Sequence, residues 1–264
     1  MFTVIGERLN SSRPSILRAV VDKDEAFISE EAKKQEAAGA THIEVNVGLV
    51  AENEAADLAW VMDIVQRAVD LPLCIDSPNP KVLEDALVLA NKPPIVNSIS
   101  LEKNRLKPML SFLRHNDCGV VALCMDDSGI PKTAKDVIER AGRLIQILED
   151  AGIASDRIYV DPLIQPISTN VSSGAMVLEA VRQIRQSHSS VHILCGLSNI
   201  SFGLPQRHAV NRAFLSLLMG AGLDAAILDP LGEKVCSVLK TTWMLLGKDP
   251  YCRDFLRAAR RSLI

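Results

Sequence analysis

Eight short runs rich in β-branched and other apolar residues recur along the chain, separated by segments of helical period, and this alternation constrains the fold more than any other feature. The runs are Phe2–Ile5, His42–Val47, Leu73–Ile75, Ile95–Val96, Val120–Met125, Ile158–Val160, His192–Leu197 and Ala225–Leu228. Between them, Leu58, Val61, Met62, Val65 and Ala68 fall on one helical stripe, and Val137, Ile138, Ala141, Leu144, Ile145 and Leu148 on another. Three helix exits repeat a signal, Ala38-Gly39-Ala40, Ala151-Gly152-Ile153 and Ala221-Gly222-Leu223, in which glycine supplies the left-handed cap that turns the chain back toward the sheet. One entry, Asn79-Pro80, reads as an N-cap followed by proline at the first helical position. Crossovers of this length join parallel strands. The expectation is an α/β chain folded as one (β/α)8 TIM barrel, a single domain over residues 1–264, with an open doubly wound sheet as the alternative.

The loops are asymmetric. Those entering strands are mostly short, whereas those leaving are longer and polar, as at residues 10–14, 126–131, 165–170 and 198–206. In a barrel that asymmetry marks the carboxyl-end face, where active sites sit. A net charge of −3 leaves no electrostatic footprint for nucleic acid. No run of eighteen apolar residues occurs, and Met1 to Glu7 lacks the pattern of a secretory leader, so a cytoplasmic protein with no membrane partner is expected. The six cysteines form no C-x-x-C pair and read as reduced thiols, four of them in or beside apolar runs.

Polar residues gather at strand ends: Glu7 after the first, Glu44 and Asn46 within the second, then Asp76, Asn97, Asp126, Asp161, Asn199 and Asp229. A strand-terminal aspartate is often a turn-former, the favoured reading for Asp126 and Asp229. For Asp76 the capping role already falls to Asn79. The set is acidic and amide-rich, with no cationic partner in the adjacent strand motifs, so it gathers at a cost unless a ligand donates hydrogen bonds to it. A ring rich in N–H groups would do so. The five histidines show no paired ligand spacing, and no resident metal is expected.

Seven motifs, in order, carry a resemblance: Gly6-Glu7-Arg8-Leu9-Asn10, Ile43-Glu44-Val45-Asn46-Val47-Gly48, Leu73-Cys74-Ile75-Asp76-Ser77, Val96-Asn97-Ser98, Tyr159-Val160-Asp161-Pro162-Leu163, Gly196-Leu197-Ser198-Asn199 and Asn211-Arg212-Ala213-Phe214-Leu215. The chain resembles, end to end, the corrinoid-dependent methyltetrahydrofolate methyltransferases. These share a pterin-binding barrel with the folate domain of cobalamin-dependent methionine synthase and with dihydropteroate synthase. The resemblance implies that Asp76, Asn97 and Asp161 hydrogen-bond the pterin and that Asn199 contacts nitrogen 5. It implies further that Gly196 lets the ring approach the backbone, and that Ser198 and Arg207 line the pocket mouth. Arg207 read by itself is equally a helix-start surface residue. Glu44 stands where aspartate is expected.

Where dihydropteroate synthase has Ser-Arg-Lys after its seventh strand, this chain reads Ser198-Asn199-Ile200. Cations that would steady departing phosphates are missing there, which disfavours a condensing enzyme of that kind. The implied reaction is methyl transfer, in either direction, between nitrogen 5 of tetrahydrofolate and the cobalt of a corrinoid (cobalamin). No D-x-H-x-x-G corrinoid-ligand motif occurs, so the corrinoid is expected on a partner protein docked near loops 165–170 and 200–206. The resemblance also implies a homodimer. A folate-binding protein without turnover is the rival from another class.

Overall fold

A computed structural model describes residues 2–49, 53–260 and 264. The eight strands are β1 (Thr3–Asn10), β2 (His42–Asn46), β3 (Leu73–Asp76), β4 (Ile95–Ile99), β5 (Gly119–Leu123), β6 (Ile158–Asp161), β7 (His192–Gly196) and β8 (Ala225–Leu228). All pair in parallel and close on themselves in chain order, with β1 hydrogen-bonded to both β2 and β8. The helices are α1 (Pro14–Val21), α2 (Glu25–Ala37), α3 (Glu54–Ala68), α4 (Pro80–Leu87), α5 (Lys103–Leu113), α6 (Ala134–Asp150), α7 (Ser173–Ser187), α8 (Arg207–Ala221), α9 (Val235–Leu245) and α10 (Arg253–Arg260). The chain is therefore a (β/α)8 TIM barrel, and the open doubly wound sheet is excluded.

Local sequence explains the elements. Asn79 Oδ1 accepts the Lys81 amide at 3.0 Å and starts α4 at Pro80. Gly39, Gly152 and Gly222 sit at φ +94°, +86° and +120°, the left-handed corner that a Cβ penalises. The stripes of α3 and α6 face inward: Leu58, Val61, Met62 and Val65 are buried on one, Val137, Ala141, Leu144, Ile145 and Leu148 on the other. They pack against the outward strand residues, such as Val45, Ile75, Val96 and Val160, in one continuous apolar layer.

Three strands differ from expectation by more than one residue at an end. β1 runs to Asn10 rather than ending at Ile5, so Glu7 lies inside the strand. Its pairing with β2 shifts register between Gly6 and Leu9, and the side chain of Gln35 fills the space beside Gly6, where its Oε1 accepts the Arg8 amide at 3.0 Å. Polar residues in a strand that lines a solvent-filled mouth do not read as apolar alternation, which is why the sequence pattern stopped short. β4 likewise extends to Ile99, placing Asn97 within it. β5 ends early, at Leu123, and Asp126 sits beyond it in a turn, accepting the Ser128 amide and hydroxyl and pairing with Arg140 at 3.0 Å.

Candidate functional site

The barrel interior is floored by a ring that includes Ile5, Cys74, Ile95, Tyr159, Leu194 and Ile227. Side chains alternate across a strand, so the residue two places on along each strand points the same way, one layer nearer the mouth. Those residues are Glu7, Asp76, Asn97, Asp161, Gly196 and Asp229, and all line one cavity of about 980 Å³. β2 contributes Glu44. Ser198, Asn199 and Arg207 lie on the same wall, so the seven residues that the resemblance assigns to the site all reach this cavity, whereas Asn46 and Asp126 do not line it.

The carboxylates at the floor are anchored through one oxygen each. Asn46 donates its amide to Asp76 Oδ2 at 2.8 Å, and its own oxygen accepts the Gly48 amide at 3.0 Å. Asn46 is thus committed on both sides and serves to hold Asp76. Asp161 Oδ1 accepts the Leu163 amide at 2.7 Å. Burial pushes the Asp76 carboxyl above its ordinary range, eased by the Asn46 hydrogen bond and the Arg105 charge. Burial also pushes Asp161 up, to about 6. The amides of Asn97 and Asn199 have no hydrogen-bond partner among the described residues, which leaves both free to meet a ligand. The arrangement offers acceptors from two sides and two uncommitted amides to one small planar guest.

Cations also reach the site, contrary to the expectation of an acid and amide set without them. Arg8 donates to Glu31 at 2.7 Å and to Asp229 at 3.0 Å, and Arg13 meets the same Asp229 oxygen at 3.1 Å. Asp229 also accepts the Leu231 amide, so it is a turn-former as expected and an ion-pair hub besides. Arg105, whose charge is felt at Asp76, donates to the carbonyls of Ser77, Pro78 and Ser98, tying β3 and β4 together just past Asp76 and Asn97. Sequence reading missed Arg8, Arg13 and Arg105 because their partners are remote along the chain, up to 221 positions for Arg8 and Asp229. Each of these arginines is already paired with a carboxylate or carbonyl of the protein.

The turn that carries Asn199, Leu197–Ser201, is a short 3₁₀ helix. Arg207 opens α8 and reaches back to it, donating to the Ser198 carbonyl at 2.8 Å and to Ser201 Oγ at 3.1 Å. Both readings of Arg207 therefore hold, since it starts a helix and edges the cavity, and its contacts make it the clamp on this turn. Ser198 Oγ donates to Glu7 Oε1 at 2.8 Å, linking β1 to the same turn across 191 positions. Gly196 lines the cavity and also leaves room for a neighbouring side chain. A Cβ there would stand 3.1 Å from Asn199 Nδ2, so the glycine makes room for the asparagine amide. Among the described residues no group of three or more His, Cys, Asp or Glu side chains is placed to hold a metal ion.

A family model described as "Pterin binding enzyme" matches residues 6–229. The chain is 39% identical to a methylcorrinoid:tetrahydrofolate methyltransferase of Eubacterium limosum, across 99% of this chain and 97% of that protein. It is 30% identical to methionine synthase of Mycobacterium leprae over 85% of this chain, which is 20% of that longer protein. Among solved structures it superimposes on dihydropteroate synthases of Xanthomonas albilineans (TM-score 0.70, 20% identity, 93% and 92% of the two chains) and Vibrio fischeri (TM-score 0.71, 14% identity, 94% of each). At those identities the structural likeness establishes the fold alone.

Proposed function

The chain belongs to the family of pterin-binding enzymes, and from that premise we propose that it is a methyltransferase that moves a methyl group between nitrogen 5 of tetrahydrofolate and the cobalt of a corrinoid carried on a separate protein. The end-to-end likeness to the Eubacterium limosum methyltransferase carries this reading, and the chemistry of the cavity fits it. A pterin's aminopyrimidinone edge presents N–H donors, which Asp76 and Asp161 accept with the oxygens left over from anchoring. Asn97 donates and accepts on the same ring. Ser198 and Gly196 shape the wall, and Arg207 fixes it.

Asn199 meets nitrogen 5. It does not titrate, so its contribution is a hydrogen bond that strengthens as charge develops on that nitrogen when the methyl departs. The corrinoid supplies the cobalt that gives or takes the methyl group, and the chain's own residues bind, orient and polarise the folate. The partner docks over loops 165–170 and 200–206. These are joined to each other, Ile167 N to Ile200 O at 3.0 Å and Ser168 Oγ to Phe202 O at 2.7 Å, and exposed Phe202 and Val171 give the surface apolar anchors. The same reading carries a cytoplasmic homodimer. Exposed Leu217, Leu245 and Leu256 on the last three helices supply apolar surface for it, and sedimentation velocity measures the mass.

The test mixes the protein with methyltetrahydrofolate and reduced cobalamin, and in parallel with methylcobalamin and tetrahydrofolate, following the cobalt absorbance. Asn199→Ala is expected to slow transfer by ~10²-fold while pterin affinity changes only a few-fold. A protein that merely carries folate gives no transfer and an affinity change alone.

A further inference from the structure

Asp76 and Asn97 stand opposite each other as register partners of β3 and β4, and the ladder carries one step past them, Ser77 N to Asn97 O at 3.3 Å. There the chain leaves regular pairing. β4 shifts register against β5 between Asn97 and Ile99, so Ser98 falls outside that pairing, and β3 gives way to the turn at Ser77 and Pro78 that leads into α4. The carbonyls exposed at this corner all accept from one side chain. Arg105, half-buried on the first turn of α5, reaches Ser98 O through Nε at 2.7 Å, Ser77 O through Nη2 at 3.0 Å and Pro78 O through Nη1. A planar guanidinium presents its donors in a fixed fork, so these contacts set the spacing of the two strand ends.

The same corner is poor in positive charge. The groups that face Asp76 are Glu44 and Asn46 on β2, Cys74 on β3, Glu54 on α3 and Arg105 on α5. Glu44 and Glu54 are acids, Cys74 is a buried thiol, and Asn46 is a neutral amide already committed to Asp76 and Gly48. Arg105 is the one cation in this group of described residues. Its N–H groups go to neutral carbonyls, which leave its charge uncancelled. The other carboxylate in its field, Glu102 at the start of its own helix, accepts the Ser100 hydroxyl at 2.8 Å.

Resting on the reading of this cavity as a pterin site, we propose that Arg105 is a positioning residue for pterin binding: it pins the ends of β3 and β4 so that Asp76 and Asn97 are presented side by side, and it is the counter-charge that keeps Asp76 a charged acceptor for the ring's N–H groups. Arg105 does not line the cavity, so it acts through the backbone in the first role and through its field in the second. The charge matters because an ionised carboxylate accepts more strongly than a neutral acid, and a protonated Asp76 would turn one oxygen into a donor facing donors. Burial raises the Asp76 carboxyl and Glu54 adds to the rise, whereas the Asn46 hydrogen bond and the Arg105 charge bring it down, which agrees with the geometry. At Asp161 the Leu163 amide gives relief and no cation does, and burial takes that carboxyl to about 6. Asp161 is therefore an internal control that Arg105 does not touch.

Carbon-13 NMR of the full chain labelled at its aspartate carboxyls reads the charge directly, with the Asp76 signal identified by its loss in Asp76→Asn. In Arg105→Gln the Asp76 titration midpoint is expected to rise by about one pH unit while that of Asp161 stays in place. Tetrahydrofolate affinity at neutral pH, measured by calorimetry, is expected to fall at least ~10-fold in the same variant. Arg105→Lys keeps the charge but cannot span the carbonyls of both strand ends. It is expected to hold the Asp76 midpoint within about half a unit of the unmutated protein and still to bind tetrahydrofolate several-fold more weakly, and it carries the test where the glutamine variant does not fold. An Asp76 midpoint unmoved in Arg105→Gln, one displaced by a full unit in Arg105→Lys, or full tetrahydrofolate affinity in either variant overturns the proposal. Affinity lost equally at every pH in both leaves a structural tie alone and overturns it too. A midpoint that depends on Arg105 in a protein that binds no tetrahydrofolate overturns instead the pterin reading on which the proposal stands.

Discussion

Replacing Gly196 by alanine tests whether the seventh strand's end exists to seat Asn199. The backbone at this residue, φ −76° and ψ 91°, suits any L-amino acid, so alanine brings no dihedral strain. Its Cβ does meet Asn199, 3.1 Å from Nδ2 and 3.8 Å from Cγ. Comfortable carbon contacts lie at about 3.5–4.0 Å, so the amide retreats by roughly half an ångström. Displacing a group by about 1 Å from its reacting position costs on the order of 10²-fold in rate, and about tenfold is expected for half that distance. Stability should fall by no more than about 2 kcal/mol, because the loss of glycine's freedom in the unfolded chain, worth about 0.4–1 kcal/mol, partly offsets crowding worth about 1–3 kcal/mol. The assay is stopped-flow absorbance of reduced cobalamin with methyltetrahydrofolate at saturation, beside calorimetric pterin affinity. A variant that transfers at full speed with unchanged affinity refutes the reasoning. Loss of affinity by the same factor as the rate refutes it differently, by showing that the glycine faces the ring itself.

Arg207→Lys keeps a charge but cannot span Ser198 and Ser201 together, so kcat is expected to fall about tenfold with KM within about threefold, read from steady-state methyl transfer. Asp161 carries a pH signature. Its folded carboxyl, at about 6, lies above the ordinary 3.8, so the folded state binds the extra proton and this group's contribution to stability grows as pH falls from 6 toward 4 and is lost as pH rises through 6. Asp161→Asn should therefore stabilise the ligand-free protein at pH 8 by about 3 kcal/mol, measured by urea unfolding, while weakening pterin binding at least tenfold. Unchanged stability at pH 8 would show that the carboxylate is not penalised there.

Much of this molecule was legible from its residues because strand and helix periodicities are local. Alternation in steps of two, set by the pleat, places Glu7, Asp76, Asn97 and Asp161 above Ile5, Cys74, Ile95 and Tyr159 without reference to any other part of the chain. Glycine at helix exits and Asn79-Pro80 at an entry are likewise decisions of a few neighbouring residues. The succession of eight strands, their parallel sense and the rim on which the polar groups gather follow from that local grammar. The role given to Asn199 rests instead on the family resemblance.

The tertiary structure decided what those groups experience. Whether Arg8 faces solvent or Asp229, whether Glu7 meets Ser198, and whether Glu44 lies between two acids depend on barrel closure, which brings β1 against β8 and sets residues about two hundred positions apart side by side. Charge, solvation and hydrogen bonding act through space over a few ångströms, whereas sequence pattern registers separation along the chain. The link of Ser198 to Glu7, the ion pairs of Asp229 and the burial of Glu44 beside Asp76 and Glu7 are spatial facts of this kind, and they emerge only when the strands have met.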